Sequence, residues 1–248
     1  MIAMQGNKNA IISQLQKDLL LWQGFKPPQS HADAIGLGPV ESAFPNGVFP
    51  VGSIHEFVSE NPEQAAASSG FMAGLLASLM RSGQACLWIS VSRKLFPPAL
   101  KAFGVEPDRI LFADLRQEKD VLWAMEEALK CNGLAAVVGE LHEIDFIQSR
   151  RLQLAVEKSK VTGFVIRNNS RSPGATACAA RWRIRPAPSE QEEGMPGVGF
   201  PRWKVELLKV RNGNPGAWLI EWSAGRFMPA QKLAQKSLHE RAKERKTG

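Results

Sequence analysis

Between residues 54 and 167, short apolar runs alternate with longer stretches in which apolar residues recur at helical spacing. The apolar runs predict strands at residues 54–59, 84–91, 109–115, 134–139 and 162–167. The intervening stretches predict helices at residues 61–81, 95–103, 118–131 and 145–159. The first helix has a clear start, since Asn61 is a good N-cap and Pro62 fits the first turn. Strands that alternate with helices favour an α/β fold with a parallel sheet.

After residue 167 the pattern changes to strands that are joined by turns. Residues 180–186, 203–210 and 218–222 predict three further strands. The sequence Arg211-Asn-Gly-Asn-Pro-Gly lies between the last two and predicts a turn that makes them antiparallel. The segment 189–199 is acidic and rich in glycine, so we expect a loop there.

The N-terminal residues are expected to form a helix and an arm. Residues 26–52 are rich in proline and glycine and predict an extended arm with turns. Helix and arm either pack on their own domain or dock on another protein, and the sequence leaves both open. We divide the chain into residues 1–50, a core at 51–228 and a basic, flexible tail at 229–248. The helix is predicted at residues 9–24, and its apolar face consists of Ile11, Ile12, Leu15, Leu19 and Trp22.

Composition indicates a globular protein with a substantial core. The 248 residues are 44% hydrophobic and 22% charged, and no segment resembles a secretory signal or a membrane span. We therefore expect a cytoplasmic protein with no membrane partner. Cys86, Cys131 and Cys178 fit neither a metal site nor a disulfide framework, so buried free thiols are predicted. The net charge of +7 is compatible with a nucleic-acid or acidic protein partner.

Several strings, taken in order, resemble known families. Cys86-Leu-Trp-Ile-Ser-Val-Ser and the segment 100–112 are similar to the second strand, the following helix and the third strand of RecA. A closer resemblance is to the ImuA family, the RecA-like or SulA-like proteins of bacterial error-prone repair cassettes. The strings that carry it are Gly47-Val-Phe-Pro-Val-Gly-Ser-Ile-His-Glu-Phe, Ala179-Ala-Arg-Trp-Arg-Ile, Pro201-Arg-Trp-Lys-Val-Glu-Leu and Trp218-Leu-Ile-Glu-Trp.

This resemblance implies a RecA-like core, in which helices flank a mostly parallel sheet and antiparallel strands close its C-terminal side. It implies an accessory role in SOS mutagenesis and translesion synthesis. The partners that it implies are an ImuB-like homologue of Y-family polymerases, an error-prone replicative polymerase, and RecA. We expect the N-terminal helix to make one of these contacts, because RecA-like folds commonly pass an N-terminal segment to a neighbour.

The nucleotide site that a RecA-like fold implies is degenerate in this sequence. A phosphate-binding loop, G-x-x-x-x-G-K-[ST], needs glycines, a lysine for the phosphates and a hydroxyl for Mg²⁺. The stretch after the first strand has no glycine and no lysine, and the later Ser-Gly pair is followed by phenylalanine. The degenerate positions are Glu60, Asn61, Glu63, Ser69, Gly70 and Phe71.

Two further positions that the RecA resemblance marks as catalytic also differ. The stretch after the second strand, residues 90–94, contains no carboxylate, and the metal-binding aspartate aligns with Gly139, one residue before Glu140. We therefore expect no catalytic activity and no nucleotide cofactor. His142 lies near Glu140, Glu143 and Asp145, a pattern typical of a solvated loop, and we expect no metal there.

Basic residues on the C-terminal strands are the candidate contacts for DNA or for an acidic partner. Alternate positions of a strand share a face, so Arg181, Arg183 and Arg185 are expected on one face and Trp182 and Ile184 on the other. That face is either a solvated surface of the sheet or a basic stripe for phosphates or an acidic partner. The further candidates are Arg167, Arg171, Arg202 and Lys204.

Other functions remain open beside the accessory role. A SulA-type inhibitor of cell division shares the fold and the missing loop, and it would bind FtsZ. A RecA/KaiC-like ATPase would bind Mg-ATP tightly in spite of its degenerate site. A general DNA-binding protein would show salt-dependent binding that needs the three arginines.

Overall fold

The computed structural model describes residues 14, 15, 18, 35–91, 94–168, 173–189 and 199–230. The helices within these residues are α1 (Pro62–Leu79), α2 (Glu118–Ala128) and α3 (Phe146–Ser159). The strands are β1 (Ile54–Ser59), β2 (Ala85–Ser90), β3 (Ile110–Asp114), β4 (Leu134–Leu141), β5 (Thr162–Asn168), β6 (Ala180–Ala187), β7 (Arg202–Val210), β8 (Gly216–Ser223) and β9 (Arg226–Pro229). These elements follow the predicted order closely.

All these strands form one sheet in the order β3-β2-β4-β5-β1-β6-β7-β8-β9. The strands from β3 to β6 in this order pair in parallel, and those from β6 to β9 pair antiparallel. The predicted parallel core with antiparallel C-terminal strands is therefore confirmed. The sequence did not predict β9, because only Phe227 of its four residues is buried and so short a segment shows no periodicity.

Local signals determine where the helices begin. Asn61 Oδ1 accepts a hydrogen bond from the backbone N–H of Gln64, 2.9 Å away, and thereby caps α1. Helix α3 begins with a capping box, in which Asp145 and Gln148 each bind the other's backbone N–H. The helix predicted at residues 95–103 is a 3-10 helix, Pro97–Phe103, because two successive prolines disfavour an α-helical start.

Apolar clusters cover both faces of the sheet. One cluster lies on the side of α1 and includes Phe57, Phe71 and Trp182, and the other lies under α2 and α3. Residues 35–50 belong to the first cluster, where Leu37 and Phe49 are fully buried. The described part of the predicted arm thus packs on its own domain. Leu15 of the predicted N-terminal helix is 57% exposed.

The cysteines differ from expectation at one position. Cys86 and Cys178 are buried free thiols, as predicted, and burial raises the pKa of the Cys178 thiol to about 12. Cys131, in contrast, is exposed. It follows α2 in the connection to β4, where the chain runs over the surface, so the prediction of a buried thiol was wrong for this residue.

Candidate functional site

A cavity of about 570 Å³ lies at the carboxyl ends of β1, β4 and β5. In open α/β sheets this end of the strands is where ligands bind. One wall is the N-terminal half of α1, and the opposite wall is formed by residues 94–103 with the start of β7. The side chains that line it are mostly apolar and include Leu95, Phe96, Phe103, Ile166 and Trp203.

The connection between β1 and α1 replaces the phosphate-binding loop that a nucleotide site would have here. It consists of two residues, Glu60 and Asn61, because β1 ends at Ser59 and α1 begins at Pro62. A glycine-rich loop works by letting several successive N–H groups converge on the phosphates. A connection of two residues with no glycine has no room for that arrangement.

Three backbone donors around the start of α1 are also occupied. The N–H of Gln64 donates to Asn61 Oδ1 (2.9 Å), and the N–H of Ala65 donates to the Asn61 carbonyl (3.1 Å). The N–H of Glu60 donates to Gln64 Oε1 (3.1 Å), while Pro62 has no N–H. A phosphate that used these three donors would therefore have to displace hydrogen bonds that the protein already makes.

The predicted degenerate positions are distributed around the cavity. Asn61, Ser69 and Gly70 line it, and Ser69 Oγ donates to the Ala65 carbonyl, 3.0 Å away. Phe71 points away into the aromatic core, where its ring centroid lies 5.8 Å from that of Trp182. The other two predicted positions are Glu60 and Glu63. Glu60 pairs with Arg183 at 3.0 Å, and Glu63 is exposed in the first turn of α1.

Glu140 is the acidic residue of the cavity, one position after the residue that the RecA alignment marks. Its Oε1 accepts a hydrogen bond from Trp88 Nε1 at 2.7 Å. Burial raises the pKa of the Glu140 carboxyl and Asp114 adds to that rise, while the Trp88 hydrogen bond and Lys94 lower it. The sequence alone gave no signal for the indole contact, because Trp88 is 52 residues away along the chain.

Three carboxylates lie together at this end of the sheet and form what we call the acidic rim. It consists of Glu140, of Asp114, which acts electrostatically on Glu140, and of Glu118, which lines a small pocket with Glu140. The basic residue beside them is Lys94. A negative region in a chain with a net charge of +7 disfavours phosphate ligands and favours cationic ones.

Two of the predicted basic contacts belong to a buried ion-pair network. Arg167 Nη1 and Arg181 Nε each lie 2.8 Å from a carboxylate oxygen of Glu56, which is fully buried. Thr176 Oγ1 donates to the same carboxylate at 2.9 Å. Arg167 and Arg181 thus neutralise a buried charge inside the protein, which leaves neither guanidinium on an open surface.

The remaining described candidates lie on the outer face of β6 and β7, as the alternation predicts. Burial alternates along β6, with Trp182 and Ile184 buried and the arginines partly exposed. The cations face carboxylates of neighbouring elements, so the predicted basic stripe is largely charge-paired. The pairs are Arg183–Glu60 (3.0 Å), Arg185–Glu206 (3.4 Å), Lys204–Glu206 (3.0 Å) and Arg202–Glu221.

Several predicted contacts lie outside the described residues. These are Ile11, Ile12, Leu19 and Trp22 of the N-terminal helix, Arg171, and the tail from residue 231. Their proposed contacts stay predictions.

The two histidines among the described residues, His55 and His142, are engaged within the protein. The backbone N–H of His142 donates to Glu118 Oε1 at 3.0 Å, and its ring Nδ1 contacts the same oxygen. His55 is buried, with its Nε2 2.9 Å from the Pro50 carbonyl and its Nδ1 accepting from Trp182 Nε1, and burial lowers its pKa to about 4. Over the described part of the chain, no cluster of three or more His, Cys, Asp or Glu side chains is arranged for a metal ion.

Within the described ranges, none of the helices combines the length and the apolar character that a membrane crossing requires.

Comparison with a solved structure identifies the fold. The crystal structure of the RadB recombinase superposes with a TM-score of 0.55 and 16% sequence identity, and the match covers 80% of this chain and all of that one. The RecA-like fold expected from the sequence is thereby confirmed. At this identity the likeness concerns the fold alone.

Comparison with characterised sequences identifies close relatives. Two proteins named Protein ImuA, from the Caulobacter vibrioides strains NA1000 / CB15N and ATCC 19089 / CIP 103742 / CB 15, are each 34% identical to this chain over 200 residues. The match covers 76% of this chain and 82% of each relative. No protein-family model matches the chain.

Proposed function

The chain belongs to the ImuA family, and from that membership we propose that it is a non-catalytic, RecA-like accessory protein in DNA-damage-induced mutagenesis. It acts in translesion synthesis through contacts with other proteins in the cytoplasm. The partners in this proposal are RecA, an ImuB-like homologue of the Y-family polymerases and an error-prone replicative polymerase.

The observation that carries the non-catalytic part is the start of α1, where the connection from β1 has only two residues and three backbone donors are occupied. Nucleotide hydrolysis on a RecA-like fold requires converging backbone donors and a lysine at this point. The N–H groups of Gln64 and Ala65 are instead bound to Asn61, and Pro62 has none to offer. A triphosphate placed there would also meet the acidic rim, which repels it.

The apolar cavity supports the second part, action through protein contacts. A RecA-like fold that has lost its phosphate site but keeps an open, apolar cavity at the same end retains a surface suited to binding. The paired arginines on β6 favour this role over one in which that face binds DNA, since each described cation already has a carboxylate.

Affinity purification from cells with damaged DNA tests the proposal. The chain is tagged, DNA damage is induced, the lysate is treated with nuclease, and the bound proteins are identified by mass spectrometry. We expect RecA or a translesion polymerase component in the nuclease-resistant fraction, enriched after damage. Recovery of FtsZ without any repair protein would contradict the proposal and favour the SulA-type alternative.

A further inference from the structure

Two large aromatic side chains at the cavity are exposed. Phe96, at the mouth, is 68% exposed, and Phe200, which precedes the lining residue Pro201, is 42% exposed. Large exposed apolar surfaces of this kind usually mark binding sites. The cavity volume of about 570 Å³ is typical of sites that enclose a ligand, which range over about 300–1,000 Å³.

One polar group in the cavity needs a hydrogen-bond donor. Asn168 Oδ1 is buried and has no partner among the described residues, and Asn168 lines the cavity together with Glu140. A buried acceptor without a partner is unfavourable, so a ligand that supplies an N–H group would satisfy it.

The charge of the cavity indicates whether a ligand that donates hydrogen bonds should be cationic or anionic. Among the described residues that line the cavity, Lys94 is the one cation, and it lies near Glu140 within the acidic rim. The three carboxylates of the acidic rim lie around this one cation. A ligand with a positive charge is therefore attracted, and one with a phosphate or carboxylate is repelled.

The shape of the mouth favours a polypeptide over a small molecule. Phe96 and Phe200 extend the apolar surface beyond the cavity itself, so the surface suits a chain that continues past the buried group. Peptide segments that place apolar anchors in a groove use this arrangement, and the charges at the rim supply specificity.

We propose that this cavity binds a short segment of a partner protein that inserts a bulky apolar side chain and places an adjacent lysine or arginine against Glu140 and the acidic rim. The proposal rests on the proposed function only in taking the partner to be a protein. The cavity therefore acts as a peptide-binding site at the end of the sheet that a nucleotide would otherwise occupy.

Four synthetic tetrapeptides, fluorescein-labelled and capped at both ends, separate the apolar from the charged contribution. They are Lys-Phe-Leu-Arg, Glu-Phe-Leu-Glu, Gln-Phe-Leu-Gln and Lys-Gly-Gly-Arg, and each is titrated with the full chain by fluorescence anisotropy. We expect the basic apolar peptide to bind most tightly, the neutral apolar peptide about fivefold more weakly, and the other two least, since an exposed charge contact contributes about 1 kcal/mol.

Two variants locate the binding. Ala66→Trp fills the cavity from an exposed position on α1 and should weaken the basic apolar peptide at least about tenfold. Glu140→Gln keeps the size of the side chain but removes its charge, so it should reduce the preference for the basic over the neutral peptide. The matched controls are Leu154→Trp and Glu157→Gln, at exposed positions on α3, and they should bind like the unmodified chain.

The proposal is overturned if the acidic peptide binds as tightly as the basic one, or if Ala66→Trp binds like Leu154→Trp. It is also overturned if the basic peptide without apolar residues binds best, since that would indicate attraction by charge alone. None of these results bears on the affinity purification, so a failure of the cavity and a failure of the accessory role are distinguishable.

Discussion

At the scale of single residues, Glu56 and Glu140 show two ways to keep a carboxylate inside this protein. Glu56 is fully buried and pairs with Arg167 and Arg181 at 2.8 Å each. Glu140 is only partly buried and has the Trp88 indole as its hydrogen-bond donor. The first is a structural charge that no ligand reaches, whereas the second remains accessible in the cavity and is available for recognition.

Removing the buried carboxylate should destabilise the protein strongly. Glu56→Gln leaves two guanidiniums with little exposure, Arg167 at 4% and Arg181 at 14%, without their counter-charge. We expect the free energy of unfolding to fall by about 3–5 kcal/mol, measured by urea denaturation. Glu157→Gln, whose partner Arg150 is about half exposed, serves as the control and should change it by less than about 0.5 kcal/mol. A loss of the same size in both variants would contradict the network.

The ionisation of Glu140 should make stability depend on pH. Burial raises the pKa of its carboxyl above the ordinary 4.5, against the opposing effects of Trp88 and Lys94 and together with Asp114. A raised pKa means that the folded chain holds the proton more tightly than the unfolded chain. Ionisation of Glu140 therefore lowers the free energy of unfolding. This loss is absent below pH 4.5 and grows as the pH rises above it.

Glu140→Gln removes this ionisation and keeps an oxygen that can accept from Trp88. The free energy of unfolding of the variant, relative to the unmodified chain, should rise between about pH 4.5 and pH 7 in paired urea denaturations. A rise no larger than that of Glu143→Gln, at an exposed position nearby, would contradict the assigned environment.

At the scale of the elements, α1 is held against the antiparallel strands by a close contact that needs glycine. A Cβ at Gly74 would lie 2.5 Å from Phe227 Cζ and 2.8 Å from Trp222 Cζ3. The contact joins α1 to β8 and β9, and it thereby positions the wall of the cavity that α1 provides.

Gly74→Ala should destabilise the protein even though alanine is the better helix former. The preference for alanine contributes about 1 kcal/mol in its favour, whereas overpacking costs about 1–3 kcal/mol. We expect a net loss in the free energy of unfolding. Gly70→Ala, on the same helix, brings its methyl no closer than 3.2 Å to Phe103 and should lose less. Equal losses would show that the helix shifts to accommodate both.

The ion pairs across β6 and β7 lead to a prediction about DNA. Arg183 and Arg185 pair with Glu60 and Glu206. The double variant R183Q/R185Q should therefore show the same salt dependence of single-stranded DNA binding as the unmodified chain. This is measured by fluorescence anisotropy across a salt series. Arginines that contact phosphates would instead reduce the slope of log K against log salt by about one each. A reduction of that size would make this face a DNA contact.

The sequence predicted the elements better than their contacts. The limits of β1 match the prediction at both ends, and the alternation along β6 places its arginines on the correct face. The carboxylates that pair with these arginines come from β1, from β7 and from the β1–α1 connection, and no spacing along the chain shows such a contact. The sequence likewise did not predict that apolar residues between 35 and 50 are buried in the core, because proline and glycine indicate turns but not what a turn packs against.

At the scale of the whole molecule, a RecA-like sheet carries an apolar cavity at the end where, in our proposal, no nucleotide binds. The strand order, the helices on both faces and the antiparallel extension are retained. At the carboxyl ends of the strands, a two-residue connection, a capped helix and an acidic rim replace a phosphate site. In our proposal, a partner protein binds at the apolar cavity that remains.

The most direct test of this account is a titration of the purified full chain with Mg-ATP by isothermal calorimetry, alongside a hydrolysis assay, with active RecA as the positive control. We predict neither saturable binding nor hydrolysis at millimolar ATP, since the connection before α1 has no glycine-rich loop, the N–H groups of Glu60, Gln64 and Ala65 are occupied, and the rim is acidic. Saturable micromolar binding of Mg-ATP with turnover would contradict the account and make the chain an ATPase.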